Sequence, residues 1–202
     1  MSLSKFARWA IPLLGVLLVA AVGWAVWRAD DAPASALDTG SAAWDQAALP
    51  LLPEPWPRLP EPTPFRDGDG RARDLADEVG RDGALLVVNF WATWCPPCVR
   101  EMPALDALAG RAEAEGLPIR VLTISTRDPG KVAPFLAANG LDHLPGHTDP
   151  GGQLAHILGL SGLPTTLVVR PDGQVAAVVR GEAAWDSPAM VAALTRLAEA
   201  TP

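Results

Sequence analysis

The sequence predicts an α/β domain, a mixed central sheet with helices on both faces, carried behind one N-terminal transmembrane helix. Three observations predict it. Ala84–Trp91 (ALLVVNFW) is a nearly continuous apolar run, the pattern of a strand buried on both faces. Strand-like and helix-like stretches then alternate in the order βαβα, followed by ββα, which calls for a mixed sheet covered on both sides. Ahead of them, residues 9–27 carry no charge at all.

That uncharged run, WAIPLLGVLLVAAVGWAVW, is bracketed by Arg8 and Arg28. As a helix rising about 1.5 Å per residue it spans about 28 Å, close to the roughly 30 Å hydrocarbon core of a bilayer. Trp9 stands at one end and Trp24 and Trp27 at the other, where amphipathic rings favour the interface. Lys5 and Arg8 precede the run, while Asp30, Asp31, Asp38 and Asp45 follow Arg28. Positive residues mark the cytoplasmic side, so residues 1–8 are expected inside, 9–27 as the anchor and the rest outside, in a bacterium the periplasm. Ala34-Ser35-Ala36 resembles a signal cleavage site. The apolar run, however, exceeds the usual length of a signal peptide, and acidic residues separate it from that site. The expected location is therefore the inner membrane as a single-pass protein. Cleavage would still export the domain.

Residues 28–61 turn to Ala, Asp, Ser and Pro. Prolines at 50, 53, 55, 57, 60, 62 and 64 exclude a helix and deny a sheet its donors. This stretch reads as a semi-rigid linker, with the folded domain over 62–202. The net charge of −7, without a basic run, excludes a nucleic-acid surface.

Within the domain, Phe65–Arg71 holds an Asp-Gly turn signal between short strands. After the strand over 84–91, a helix is expected from Cys95 to about Glu115, with Met102, Leu105 and Leu108 inward and Pro103 kinking it. Ile119–Ser125 (IRVLTIS) is a second strand. Pro129–Asn139 reads as a helix closed by Gly140, and Pro150–Leu158 as a shorter helical stretch. Thr165–Val169 and Gln174–Val179 are strands joined by the turn Arg170-Pro171-Asp172-Gly173. The last helix starts at Asp186-Ser187-Pro188, a cap followed by proline, with Val191, Leu194 and Leu197 as its apolar stripe.

Both cysteines of the chain, Cys95 and Cys98, lie in WCPPC at the junction of the strand and the helix. A bridge across two residues closes too small a loop to restrain the unfolded chain, so the bond is expected to open and close. Unpaired amides and partial positive charge at a helix start favour a thiolate there, which lowers the thiol pKa in Cys-X-X-Cys motifs. Cys95 is thus the attacking thiol and Cys98 the resolving one. Pro96 has no N–H and Pro97 stiffens the turn. Glu101, three residues after Cys98, falls on the same helix side and is placed to trade the Cys98 proton. Gly162-Leu163-Pro164-Thr165-Thr166 enters a strand, a common place for a cis proline.

VVNFWATWCPPC, followed by Arg100-Glu101-Met102-Pro103 and later by GLPTTLVVRPDG, resembles the membrane-anchored thioredoxin-like proteins of the TlpA, ResA and DsbE (CcmG) type, over roughly residues 62–200. The resemblance implies a thioredoxin-like fold. It implies Cys95 as nucleophile, Cys98 as resolving thiol, Glu101 as the acid beside them and Pro164 as a cis proline facing the disulfide. The backbone of Leu163 would pair with the client, and Trp94, Pro96 and Pro97 would complete the contact surface. Asn89 stands where thioredoxin has a buried Asp, which leaves more of the proton handling to Glu101. The family reduces disulfides of exported clients, apocytochrome c or copper-site assembly proteins. Its members draw electrons from a membrane donor of the DsbD or CcdA type, and no cofactor is expected.

Other chemistries fit less well. A c-type haem site needs His where Val99 stands, and a peroxidatic cysteine needs Thr or Ser where Ala92 stands. Structural zinc wants about four ligands, and only His143, His147 and His156 accompany the cysteines. These histidines read as solvated, and no metal is expected. The rival from another class is a Cu(I) carrier using the same two thiolates, which suit that soft ion.

Overall fold

The computed structural model describes residues 49–50 and 57–200. The expected cytoplasmic N-terminus 1–8, the anchor 9–27 and most of the linker 28–61 lie outside the described residues. Among the described residues no helix is long and apolar enough to cross a membrane.

Strands β1 (Pro64–Arg66), β2 (Ala72–Asp74), β3 (Leu85–Trp91), β4 (Ile119–Ser125), β5 (His147–Thr148), β6 (Thr165–Val169) and β7 (Val175–Arg180) form one sheet in the order β2-β1-β5-β4-β3-β6-β7. Pairing is parallel along β3-β4-β5 and antiparallel elsewhere, so the sheet is mixed, as the order of elements predicts. Helices α1 (Pro96–Glu115), α2 (Pro129–Ala138), α3 (Gln153–Ile157) and α4 (Pro188–Glu199) cover it.

The alternation of β3 divides the core. Leu85, Val87 and Trp91 face one apolar cluster with Met102, Leu105 and Leu108 of α1, Val132 and Leu136 of α2, and Val191 and Leu194 of α4. Leu86, Val88 and Phe90 face the other, with Phe65, Leu75 and Leu154. Side chains alternate across a strand, so Asn89 falls on the α1 side. Each fully buried Leu or Met contributes about 1.5–3 kcal/mol, which makes α1, with three at 0% exposure, the main cover of the sheet.

Local signals explain the helix ends. α1 closes on Gly116 at φ 64°, a conformation glycine adopts without a Cβ clash, and runs through Pro103 without ending. α4 begins where Ser187 Oγ accepts the Met190 N–H at 3.2 Å, with Pro188 in the first turn. The expected helix over 150–158 shortens to α3, because Gly151 and Gly152 at φ 87° and 70° turn the chain first.

Two features depart from expectation. His147 is not a solvated loop residue: it lies half-buried in β5, its ring packed edge-on against Phe65 at 5.2 Å. A strand of two residues has no alternation to read. Residues of the expected linker are also tied to the domain, with Leu49 in the α1-side cluster, the Leu59 N–H on Gly173 O at 3.1 Å and the Val175 N–H on Pro57 O at 2.8 Å.

Candidate active site

The chain leaves the carboxyl end of β3, turns over Ala92–Trp94 with the Cys95 N–H on Ala92 O at 3.1 Å, and enters α1. Cys95 is the helix cap, and its Sγ accepts the Cys98 N–H at 3.4 Å. Pro96 and Pro97 fill the first two helical positions and bring no N–H. The next amide, of Val99, goes to Cys95 O at 3.0 Å. The cysteine sulfur therefore receives one backbone donor from the helix end, where a proline-free turn would offer more. Cys95 and Cys98 are disulfide-bonded with Cα atoms 5.3 Å apart. Cys95 keeps 5% of its surface and Cys98 none, while Trp94 beside them is 59% exposed and Pro96 also faces solvent.

The sheet register brings the second wall. Phe90 pairs with Thr165, so Pro164 stands at the end of β3 from which the chain turns toward Cys95. The Leu163–Pro164 peptide is cis. Pro164 is buried, its carbonyl accepts the Gly181 N–H at 2.9 Å, and half-buried Leu163 packs against the cluster that contains both cysteines.

Glu101 is 3% exposed, not a solvated helix residue. Asn89 Nδ2 donates to its Oε1 at 2.8 Å, and Trp185 Nε1 and the Ala183 N–H donate to its Oε2 at 3.0 and 3.2 Å. Asn89 Nδ2 also donates to Thr166 Oγ1 at 2.9 Å, a contact set by the direct pairing of Asn89 with Thr166 across β3 and β6. Burial pushes the Glu101 carboxyl above its ordinary range, aided by the nearby Glu182 charge, and the bonds from Trp185, Asn89 and Ala183 pull back without cancelling it. A buried carboxyl held in this way, one helical turn from a buried thiol, is suited to take up and return a proton.

Trp94, Cys95, Pro96, Pro97, Cys98 and Glu101 thus gather at the start of α1, with Leu163 and Pro164 at the adjoining start of β6. Sequence reasoning missed Trp185, Ala183 and Thr166. Asn89 had a readable signal, a polar residue inside an otherwise apolar strand that must find a partner. Trp185 had none, since it lies in a loop without periodicity. Among the described residues no group of three His, Cys, Asp or Glu is placed to hold a metal ion.

The Redoxin family model matches residues 58–194, a range that includes every residue of this site. The thiol-disulfide oxidoreductase ResA of Bacillus thuringiensis is 32% identical over 116 residues, 57% of this chain and 64% of that protein, so the chain spans somewhat under two thirds of such relatives. The thiol:disulfide interchange protein HelX of Rhodobacter capsulatus is 30% identical over 172 residues, 85% of each chain. A secreted thiol-disulfide isomerase from Corynebacterium glutamicum shares the fold, with a TM-score of 0.57 at 24% identity over 74% of this chain and 90% of that one.

Proposed function

Because this chain belongs to the Redoxin family, and to the thiol:disulfide oxidoreductases within it, we propose that it is a membrane-tethered reductase of disulfides in exported proteins. The observation that carries this reading is the asymmetry of the cysteine pair: Cys95 caps α1 beside the exposed Trp94 and keeps 5% of its surface, and Cys98 is wholly enclosed one helical turn before Glu101.

In the reduced protein the Cys95 thiolate attacks one sulfur of a client disulfide. The client S–S bond breaks, a Cys95–client bond forms, and the released client thiolate takes a proton from water. Cys98 then gives its proton to the Glu101 carboxylate and attacks Cys95 Sγ. The second client sulfur leaves as a thiolate and receives that proton back. The client gains two electrons and the pair loses two, ending as the Cys95–Cys98 disulfide. A reduced dithiol on a membrane donor of the DsbD or CcdA type restores the pair by the same exchange in reverse. Leu163, beside the cis Pro164, offers backbone groups to an extended client segment, and Trp94, Pro96 and Pro97 supply apolar surface around the sulfur.

The resemblance to the ResA and DsbE type supports clients in cytochrome c maturation or copper-site assembly. The layout of residues 1–61 supports a single-pass inner-membrane protein with residues 62–202 in the periplasm. Cys98→Ala should trap mixed disulfides with client proteins in intact cells, and Cys95→Ala should trap none. Equal trapping by both variants would reverse the assignment. Stoichiometric tight Cu(I) binding without any exchange would make the protein a copper carrier instead.

A further inference from the structure

The segment Gly181–Trp185, between β7 and α4, contributes nothing to the cysteine motif, yet it is bonded to both walls of the site. It leaves β7 at Gly181, whose φ of 89° excludes most side chains, and the Gly181 N–H donates to Pro164 O at 2.9 Å. Glu182 pairs with Arg100 on the outer side of α1 at 2.8 Å. The Ala183 N–H and the Trp185 indole N–H then converge on Glu101 Oε2. The cis-proline turn and the cysteine helix are thus held by one five-residue strap.

Trp185 is 0% exposed and sits in the α1-side cluster, with its indole N–H spent on a carboxylate and not on a backbone carbonyl. A buried indole could satisfy its donor in many ways. Here it donates to a buried acidic group one helical turn from the resolving thiol. We propose that Trp185 is a positioning residue, whose indole N–H orients the Glu101 carboxylate toward Cys98 and sets the pH at which that carboxylate accepts the Cys98 proton. This rests on the reductase reading above.

The physical basis is selective stabilisation. A donor to a carboxylate favours the ionised form, and in a site closed to water the bond is stronger than at a surface. Burial drives the Glu101 carboxyl upward, and Trp185 heads the groups that oppose it. Among the described residues, β3 bonds Glu101 through Asn89, which β6 holds through Thr166, and neither carries a charge. α1 presents Cys98 and, on its exposed side, Arg100, while the strap presents Glu182. Arg180 and Asp186 flank the strap at exposed positions. Among the described residues no cation is bonded to Glu101, so only neutral donors oppose the upward push of burial on its proton affinity.

Trp185→Phe keeps most of the ring and removes the N–H. Benzothienylalanine placed at position 185 keeps the full ring shape and removes the same donor, should the smaller ring fail to fold. Two readouts apply: the rate at which Cys98 resolves a preformed mixed disulfide as a function of pH, and the Glu101 carboxyl titration by NMR in the oxidised protein. Losing one charge-assisted bond should move both midpoints up by about one pH unit, an approximately tenfold slower resolution below the midpoint. In a Glu101→Gln background the same change should leave the resolution profile where it was. Superimposable midpoints with and without the indole N–H, or an equal shift in the Glu101→Gln background, would overturn the proposal. Failure of the wild-type protein to exchange thiols at all would sink the reductase reading. The NMR midpoint would still report on Trp185 independently.

Discussion

Two buried glutamates of this molecule have opposite surroundings. Glu101 at 3% exposure and Glu78 at 5% keep equally little surface, though Glu78 lines an open surface cleft and Glu101 lies within the core. Glu101 receives three neutral donors, from Asn89, Trp185 and Ala183, with Glu182 nearby. Glu78 receives three guanidinium groups: Arg73 on Oε1 at 2.7 Å, and Arg81 and Arg120 on Oε2 at 2.9 Å each. Burial works against the charge of Glu78 too, but the Arg120 bond and the charges of Arg81, Arg120 and Arg73 outweigh it and hold that carboxyl below its ordinary range. Burial alone does not assign a role to an acid. A cationic cage fixes the charge and makes a tether, joining β2 and the short turns at 75–83 to β4. Neutral donors fix the position and leave the proton exchangeable.

The sharpest test of that contrast is kinetic. Glu101→Gln should slow resolution of the mixed disulfide about a hundredfold, the lower range for losing a general base, and should flatten its pH dependence. Glu78→Gln should leave the rate unchanged. Stopped-flow resolution of both variants across pH checks this, and a matching rate loss in Glu78→Gln would remove the distinction.

Stability should separate the pair in the opposite sense. Removing the Glu78 charge leaves three guanidinium groups without their counter-charge and turns one acceptor oxygen into a donor NH2 that faces them, at a cost of about 2 kcal/mol by denaturant unfolding near neutral pH. A depressed carboxyl contributes stability that is present above its unfolded pKa and lost as pH falls through the folded one, so the deficit of Glu78→Gln should shrink on acidification. The Glu101 shift has the other sign. Its contribution is present below the unfolded pKa and lost as pH rises through the raised folded value, so Glu101→Gln should gain on the wild type as pH rises.

The smallest effect lies within the cage. Arg81 is 48% exposed on its side chain and screened by water, so Arg81→Ala should cost about 0.5 kcal/mol. Arg120, at 27%, bonds both the Glu78 carboxylate and the Glu78 backbone carbonyl. Arg120→Ala should cost about twice as much or more by the same unfolding measurement. Equal losses would show that the cage acts as a diffuse charge and not through particular bonds.

Much of the fold was legible because its signals are local. The apolar run of β3, the capping Ser187-Pro188 before α4 and the glycines after α1 and α2 act within a few residues of where they stand. The two-residue β5 and the short turns over 75–83 carry too few residues to show a period. The Glu78 cage was invisible for a different reason: Arg73, Glu78, Arg81 and Arg120 come from four separate elements, and no spacing in the chain announces that Arg120, 42 positions after Glu78, joins them.

The active site divides in the same way. The chain by itself determined that Cys95 begins a helix, that Cys98 and Glu101 share a side of it, and that a proline enters a later strand, because each follows from neighbours three or four residues away. Only the tertiary structure decided what surrounds Glu101. The register of β3 on β6 sets Asn89 against Thr166, and the strap after β7 brings Trp185 in from 84 positions away. Proton affinity in a buried site depends on which donors converge there, and convergence across such separations is a property of packing, which local sequence does not encode.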